Sequence, residues 1–167
     1  MRTFSVSPTF ADLTDVGVFL ALRPNGNTVC TINRVSLSGT LGQNKSIGVA
    51  LDIYTGVDEA GAQVIGPEVV VRHDTLDLDS NVRILQWKVP PTLPMTAFLG
   101  RVRSQRSFWC NNTTASDQVF WSFSGGLLSK PLLLRGEQRW LCLSTSDLAA
   151  GSYSGSVVYP CIEWMES

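Results

Sequence analysis

The residues from Lys130 to Glu166 constrain the fold most, because three apolar segments there are cut by two turns. Lys130-Pro131-Leu132-Leu133-Leu134-Arg135 stops at Gly136-Glu137, and a glycine with polar neighbours is what a tight reversal requires. Arg139 to Thr145 is a second short apolar run, Ser146 to Ser152 is a second turn, and Tyr153 to Trp164 leaves as a long extended segment. The pattern predicts strand, hairpin, strand, loop and terminal strand. Pro160 lies inside that last strand and has no N–H for a ladder. It predicts that the strand breaks there or runs at a sheet edge, with Ile162 to Met165 turned towards a second sheet or an intersubunit contact.

The rest of the chain follows the same grammar. Phe4 and Val6 share a parity, and Asp15 to Leu22 is almost continuously apolar. Arg23-Pro24-Asn25-Gly26-Asn27 is a turn, since Asn-Gly accepts positive φ. Within Thr28 to Thr40, Val29, Thr31, Asn33, Val35 and Leu37 fall on one parity. Ile47, Val49, Leu51 and Ile53 alternate against Gly48, Ala50, Asp52 and Tyr54, which predicts a half-buried strand. Ala62 to Val71 carries Pro67 and predicts a broken or edge strand. Val82 to Val89, Thr96 to Cys110 and Asp117 to Phe123 are further extended runs, the last with Val119, Trp121 and Phe123 on one face. About ten antiparallel strands, spaced by turn signals, predict an all-β, jelly-roll-like β-sandwich over any helical or α/β class. Pro90, Pro91 and Pro94 bring no shift in composition, so residues 1–167 read as a single domain.

Composition narrows the function classes. Charged residues make up 16% of the chain, against roughly 25% in an average soluble domain. The formal net charge of -1 offers no field for nucleic acid or an anionic membrane. No apolar stretch approaches the roughly 18 to 20 residues that span a bilayer, and Met1 to Val6 has no signal-like apolar core. Arginine outnumbers lysine ten to three, which suits planar, bidentate contacts at a protein interface. Cys30, Cys110, Cys142 and Cys161 lie far apart and read as buried thiols, not as a disulfide framework or a zinc site. The sequons at Asn44, Asn111 and Asn112 read as polar loops.

No catalytic constellation stands out. A Ser-His-Asp site would have to use His73 with Asp74, and no nucleophile elbow accompanies it. Asp74, Asp77 and Asp79, with Ser80 and Asn81, offer oxygen ligands for Ca²⁺ but lack the glycine and closing glutamate of an EF-hand loop; a solvated acidic turn is the simpler reading. Asp52, Glu68 and Glu163 are carboxylates of the kind a glycosidase pairs, at positions any half-exposed sheet would supply. Arg101, Arg103 and Arg106, beside Phe108 and Trp109, form the densest basic patch and read as a protein contact or a solvated strand face. Trp87, Trp109, Trp121, Trp140 and Trp164 lie on separate strands. They fill the space between sheets, anchor an interface or, less simply, stack on sugar.

The closing unit also carries a likeness. Lys130 to Glu137, Trp140-Leu141-Cys142-Leu143, Ala150 to Val157 and Glu163-Trp164 resemble the C-terminus of small virion proteins of tailed bacteriophages. Asp52-Ile53-Tyr54-Thr55-Gly56-Val57-Asp58-Glu59-Ala60-Gly61 is similar to that group's central hairpin, and Phe120-Trp121-Ser122-Phe123 to its aromatic strand. The resemblance covers about half the chain. It implies a capsid cement or decoration protein, made in the bacterial host cytoplasm and sited on the capsid surface of the virion. Its partner would be the major capsid protein, with a homo-oligomer, by analogy a trimer, as the binding unit. It implies no catalysis, cofactor, metal or small-molecule substrate, and no nucleic-acid or membrane partner. The expected interface residues are Arg101, Arg103, Arg106, Trp109, Ile162 and Trp164. The alternative is a tail or fibre component that binds a carbohydrate receptor.

Overall fold

The computed structural model describes residues 1–8, 10–11, 17–40, 45–88, 98–110, 118–123, 131–147 and 157–167, with backbone alone at 10–11, 40, 45–47, 98–110 and 146–147. The described strands are β1 (Arg2–Val6), β2 (Phe10–Ala11), β3 (Gly17–Pro24), β4 (Val29–Thr40), β5 (Lys45–Tyr54), β6 (Gln63–Val64), β7 (Val71–Arg72), β8 (Val82–Gln86), β9 (Phe98–Cys110), β10 (Gln118–Ser122), β11 (Leu132–Arg135), β12 (Trp140–Asp147) and β13 (Val157–Glu166). Ten are four residues or longer, and β2, β6 and β7 are two-residue pairings. The loop at Leu41 to Asn44, the prolines at 90, 91 and 94, the sequon asparagines, the turn at 124–126 and Tyr153 to Ser156 lie outside the described residues.

Two antiparallel sheets result. One runs β10-β4-β13-β1-β7, with β11 also on β4 and β2 also on β13; the other runs β6-β8-β3-β12-β5-β9. Across them β1 pairs β13, β3 pairs β12, β4 pairs β10 and β5 pairs β9. With β8 and β11 set aside beside the two-residue pairings, the remaining eight strands nest: first meets last, second meets seventh, third meets sixth and fourth meets fifth. That nesting is the wrap of a jelly roll.

Burial follows the pleat. Phe4, Val6, Ile32, Leu37, Ile162 and Trp164 from the first sheet face Leu20, Leu22, Leu51, Ile84, Leu141 and Leu143 from the second. Phe4 and Trp164 stack with centroids 5.8 Å apart. A second cluster on the outer face of the other sheet joins Val18, Ala21, Leu85, Trp87, Trp140 and Cys142, with Tyr54, Val57 and Ala62 packed on it. The indole N–H of Trp87 donates to the Ala60 carbonyl at 3.2 Å, which ties that covering segment down. This second layer explains why β3 is apolar on both parities. It also corrects the half-buried expectation for β5, where Ala50 and Asp52 on the outer parity are as buried as Val49 and Leu51.

Three further expectations are corrected. The Gly136 turn is no hairpin: β11 belongs to the first sheet and β12 to the second, so the turn is a corner between layers. Gly136 has the positive φ a tight corner needs, and Glu137 accepts from the Gly26 amide at 2.9 Å. Within β4, the parity switches. Cys30 and Ile32 face inward and so do Val35 and Leu37, because the register against β13 skips Asn33.

The terminal strand, finally, is neither broken nor at an edge. β13 runs unbroken between β4 and β1, and Ile162 and Trp164 are fully inside the core. The register that pairs Val6 with Ile162 and Phe10 with Val158, continued between them, sets Pro8 opposite Pro160. Neither residue has an N–H, so both missing ladder donors fall at one point of the strand and the pairs on either side carry it.

Candidate functional site

The chemistry-bearing residues do not converge. His73 Nε2 lies 3.1 Å from Ser5 Oγ on the surface. The Asp74 carboxylate accepts instead from the Leu76 amide at 2.9 Å, so the triad reading is corrected: Asp74 does not orient the imidazole. Asp79 pairs with Arg72 at 3.4 Å, while Asn81 turns to Thr28 and Ser80 to Glu166. Among the described residues no three His, Cys, Asp or Glu side chains gather as a metal site. Asp52 is buried on the outer side of the β5 sheet, Glu163 lies on the opposite outer face, and Glu68 is on the short 3₁₀ turn Pro67–Val69. These carboxylates form no pair.

The described thiols are held protonated. Burial first, and the Glu166 carboxylate second, push Cys30 up to about 12. Burial and then Asp52 raise Cys142. At Cys161, burial and the charge of Glu163 outweigh the opposing pull of Arg34. All three are free cysteines, and a neutral buried thiol is a poor nucleophile and a poor ligand.

Trp87, Trp121, Trp140 and Trp164 are buried, which removes them as a sugar platform. Trp164 and Ile162 cannot present a surface contact either, so the interface expectation is corrected for both. Of the remaining expected interface residues, β9 carries all four at its pairing with β5: Arg101 opposite Asp52, Arg103 opposite Leu51, Arg106 opposite Val49 and Trp109 opposite Ser46. Their side chains lie outside the described ones.

Glu166 is the buried polar centre of one end of the sandwich. Its carboxylate accepts from the Trp164 indole N–H at 2.9 Å, the Asn81 amide at 3.0 Å and the Ser80 hydroxyl, with Arg2 at 3.7 Å. Asn81 continues the network: its backbone carbonyl accepts from the Asn25 amide, and its side chain donates to Thr28. The work of this cluster is structural, binding the β13 terminus to the loop before β8.

What the surface offers instead is apolar. Phe120 and Tyr159 stand half exposed on the outer face of the first sheet, on either side of Ser36 and Ser38, with the Arg34 guanidinium 5.2 Å from the Phe120 ring. Leu76 and Leu78 are 90% and 74% exposed in the loop after β7. Two cavities, of about 240 and 210 Å³, flank the segment through β6 and the 3₁₀ turn. His73 to Asp79 looks polar in sequence, and the one local signal of these leucines is an isolated Leu-x-Leu in an acidic turn.

No family model, curated protein or solved structure matches the chain. The likeness to phage virion proteins therefore rests on the quoted turn-and-strand motifs alone.

Proposed function

We propose that the chain is a structural virion protein: a jelly-roll subunit that docks as a homo-oligomer on the major capsid protein lattice and holds the shell closed. The observation that carries this reading is the nested eight-strand wrap with a filled core. Jelly rolls of this kind serve as shell components, among other roles. The exposed leucines of the loop after β7 agree with work done against other protein. Purified chain mixed with undecorated heads should co-sediment with them and raise their resistance to heat. A chain that stays in the supernatant removes the reading.

One observation favours a second reading, a glycan-binding tail or fibre component. Phe120 and Tyr159 flank a floor of serine hydroxyls, as ring-stacking sugar sites require. Glycan-array binding that disappears in the Phe120→Ala and Tyr159→Ala variants would establish it.

A further inference from the structure

Among the described residues four arginines are half-buried: Arg2, Arg23, Arg34 and Arg83. Three of them close an ion pair, with Glu166, Glu137 and Glu59 in turn, and Arg34 closes none. Its guanidinium carbon stands instead 5.2 Å from the centroid of the Phe120 ring, and its Nε is buried with no hydrogen-bond partner in the protein. Stacking on a ring holds the guanidinium plane in place and satisfies none of its N–H donors. Glu163 is the register partner of Arg34 on β13, yet the side chain leans to β10, on the far side of β4 from that carboxylate. A fixed, unpaired donor fork at a sheet surface is a receptor for a planar anion, and a carboxylate is what such a fork accepts two-handed.

The surroundings say what carries that carboxylate. Phe120 lies opposite Ser36 on one side of β4, and Tyr159 opposite Ser38 on the other. Two strand spacings of about 4.8 Å and two residues of about 3.4 Å set the backbones of these aromatic residues about 12 Å apart. Ser36 between them is 8% exposed although it is on the outward parity, so taller side chains stand around it. Two half-exposed rings over a hydroxyl floor suit the alternating C–H faces and hydroxyls of sugar rings. An acidic peptide would supply the charge, but β4 and β13 are both inside the sheet. They offer no free backbone edge for an extended chain to pair with.

We propose that this face binds a carboxylate-bearing glycan, with a uronic or sialic acid residue held on the Arg34 fork and sugar rings on Phe120 and Tyr159. The proposal rests on the glycan-binding reading and adds to it the charge of the ligand. Glu163 beside the site keeps the attraction modest, which leaves selection to the geometry of the fork.

A glycan array tests it, displaying uronate- and sialate-bearing chains beside the same chains with the carboxyl reduced to an alcohol. Wild type should bind the acidic forms about tenfold or more tightly than the reduced ones. Arg34→Gln should abolish that preference, and Arg34→Lys, which keeps the charge without the planar fork, should restore only part of it. Glu163→Gln should tighten binding of the acidic forms, a gain that no misfolded variant can imitate. Equal binding of acidic and reduced chains, lost in Phe120→Ala and Tyr159→Ala, would overturn the assignment to Arg34 and keep the glycan reading. Binding to no glycan would overturn both. An oligoglutamate peptide that competes as well as the acidic glycan would overturn the proposal in favour of a protein partner.

Discussion

Replacing Glu166 with alanine strips the acceptor from the polar centre at the end of β13. The Asn81 amide and the Trp164 indole N–H, 3.0 and 2.9 Å from the carboxylate, would be left unpaired where Glu166 is 1% exposed. Each orphaned buried donor costs about 1–3 kcal/mol. The Ser80 hydroxyl can rotate to another acceptor and adds little. Loss of one packed methylene adds about 0.8 kcal/mol, and the 30%-exposed Arg2 side chain at 3.7 Å contributes little. Glu166→Ala should therefore destabilise the fold by about 4 kcal/mol, which lowers Tm by about 10 °C in a chain of this size. In urea, with a slope of about 2 kcal/mol per M, the midpoint moves down by about 2 M with the slope unchanged. Glu166→Gln keeps one acceptor oxygen and should lose about half as much. Glu163→Ala, on the outer face of the same strand, is the control and should stay within about 0.5 kcal/mol. A midpoint shift in Glu166→Ala no larger than that control would refute the account of this cluster.

Cys30 makes stability fall in alkali. Between 9.0 and about 12 the folded state keeps a proton at Cys30 that the unfolded chain releases, so its contribution is whole below pH 9 and declines by about 1.4 kcal/mol per pH unit above it, beside those of Cys142 and Cys161; Cys30→Ala should reduce the alkaline slope by that amount in urea melts taken across this range, and an unchanged slope would contradict the assignment. Gly39→Ala should prevent folding or cost more than about 3 kcal/mol, because φ is +144° and a Cβ would run into the Val157 carbonyl oxygen; circular dichroism and a thermal melt decide it. Trp164→Ala should cost about 3–5 kcal/mol of monomer stability, while the half-exposed Phe120→Ala costs under about 1. If Trp164→Ala changes association and leaves the melt alone, the core placement of β13 is wrong.

The sandwich was legible wherever side-chain alternation reports burial directly. Val119, Trp121 and Phe123 did so, and Pro67 marked the break that leaves β6 on one sheet edge and β7 on the other. Longer-range facts were not legible. A Gly-Glu turn has the same local chemistry whether it joins hairpin partners or turns a corner between sheets, so the sheet change after β11 was hidden. Pro160 looked like an edge signal because its opposite number, Pro8, is separated from it by most of the chain. The bulge at Asn33 shows only in the register against β13. An edge strand would have put Ile162 and Trp164 at an interface; the central position of β13 puts them in the core. The Glu166 centre draws on residues from Arg2 to Trp164, and no local pattern announces it.

The proposed function rests most directly on where this chain sits in a virus particle and in how many copies. Reconstruction of imaged virions should show a jelly-roll density repeated across the capsid lattice, in hundreds of copies, in contact with the major capsid protein. A handful of copies confined to the tail, or a particle without the protein, would contradict the account.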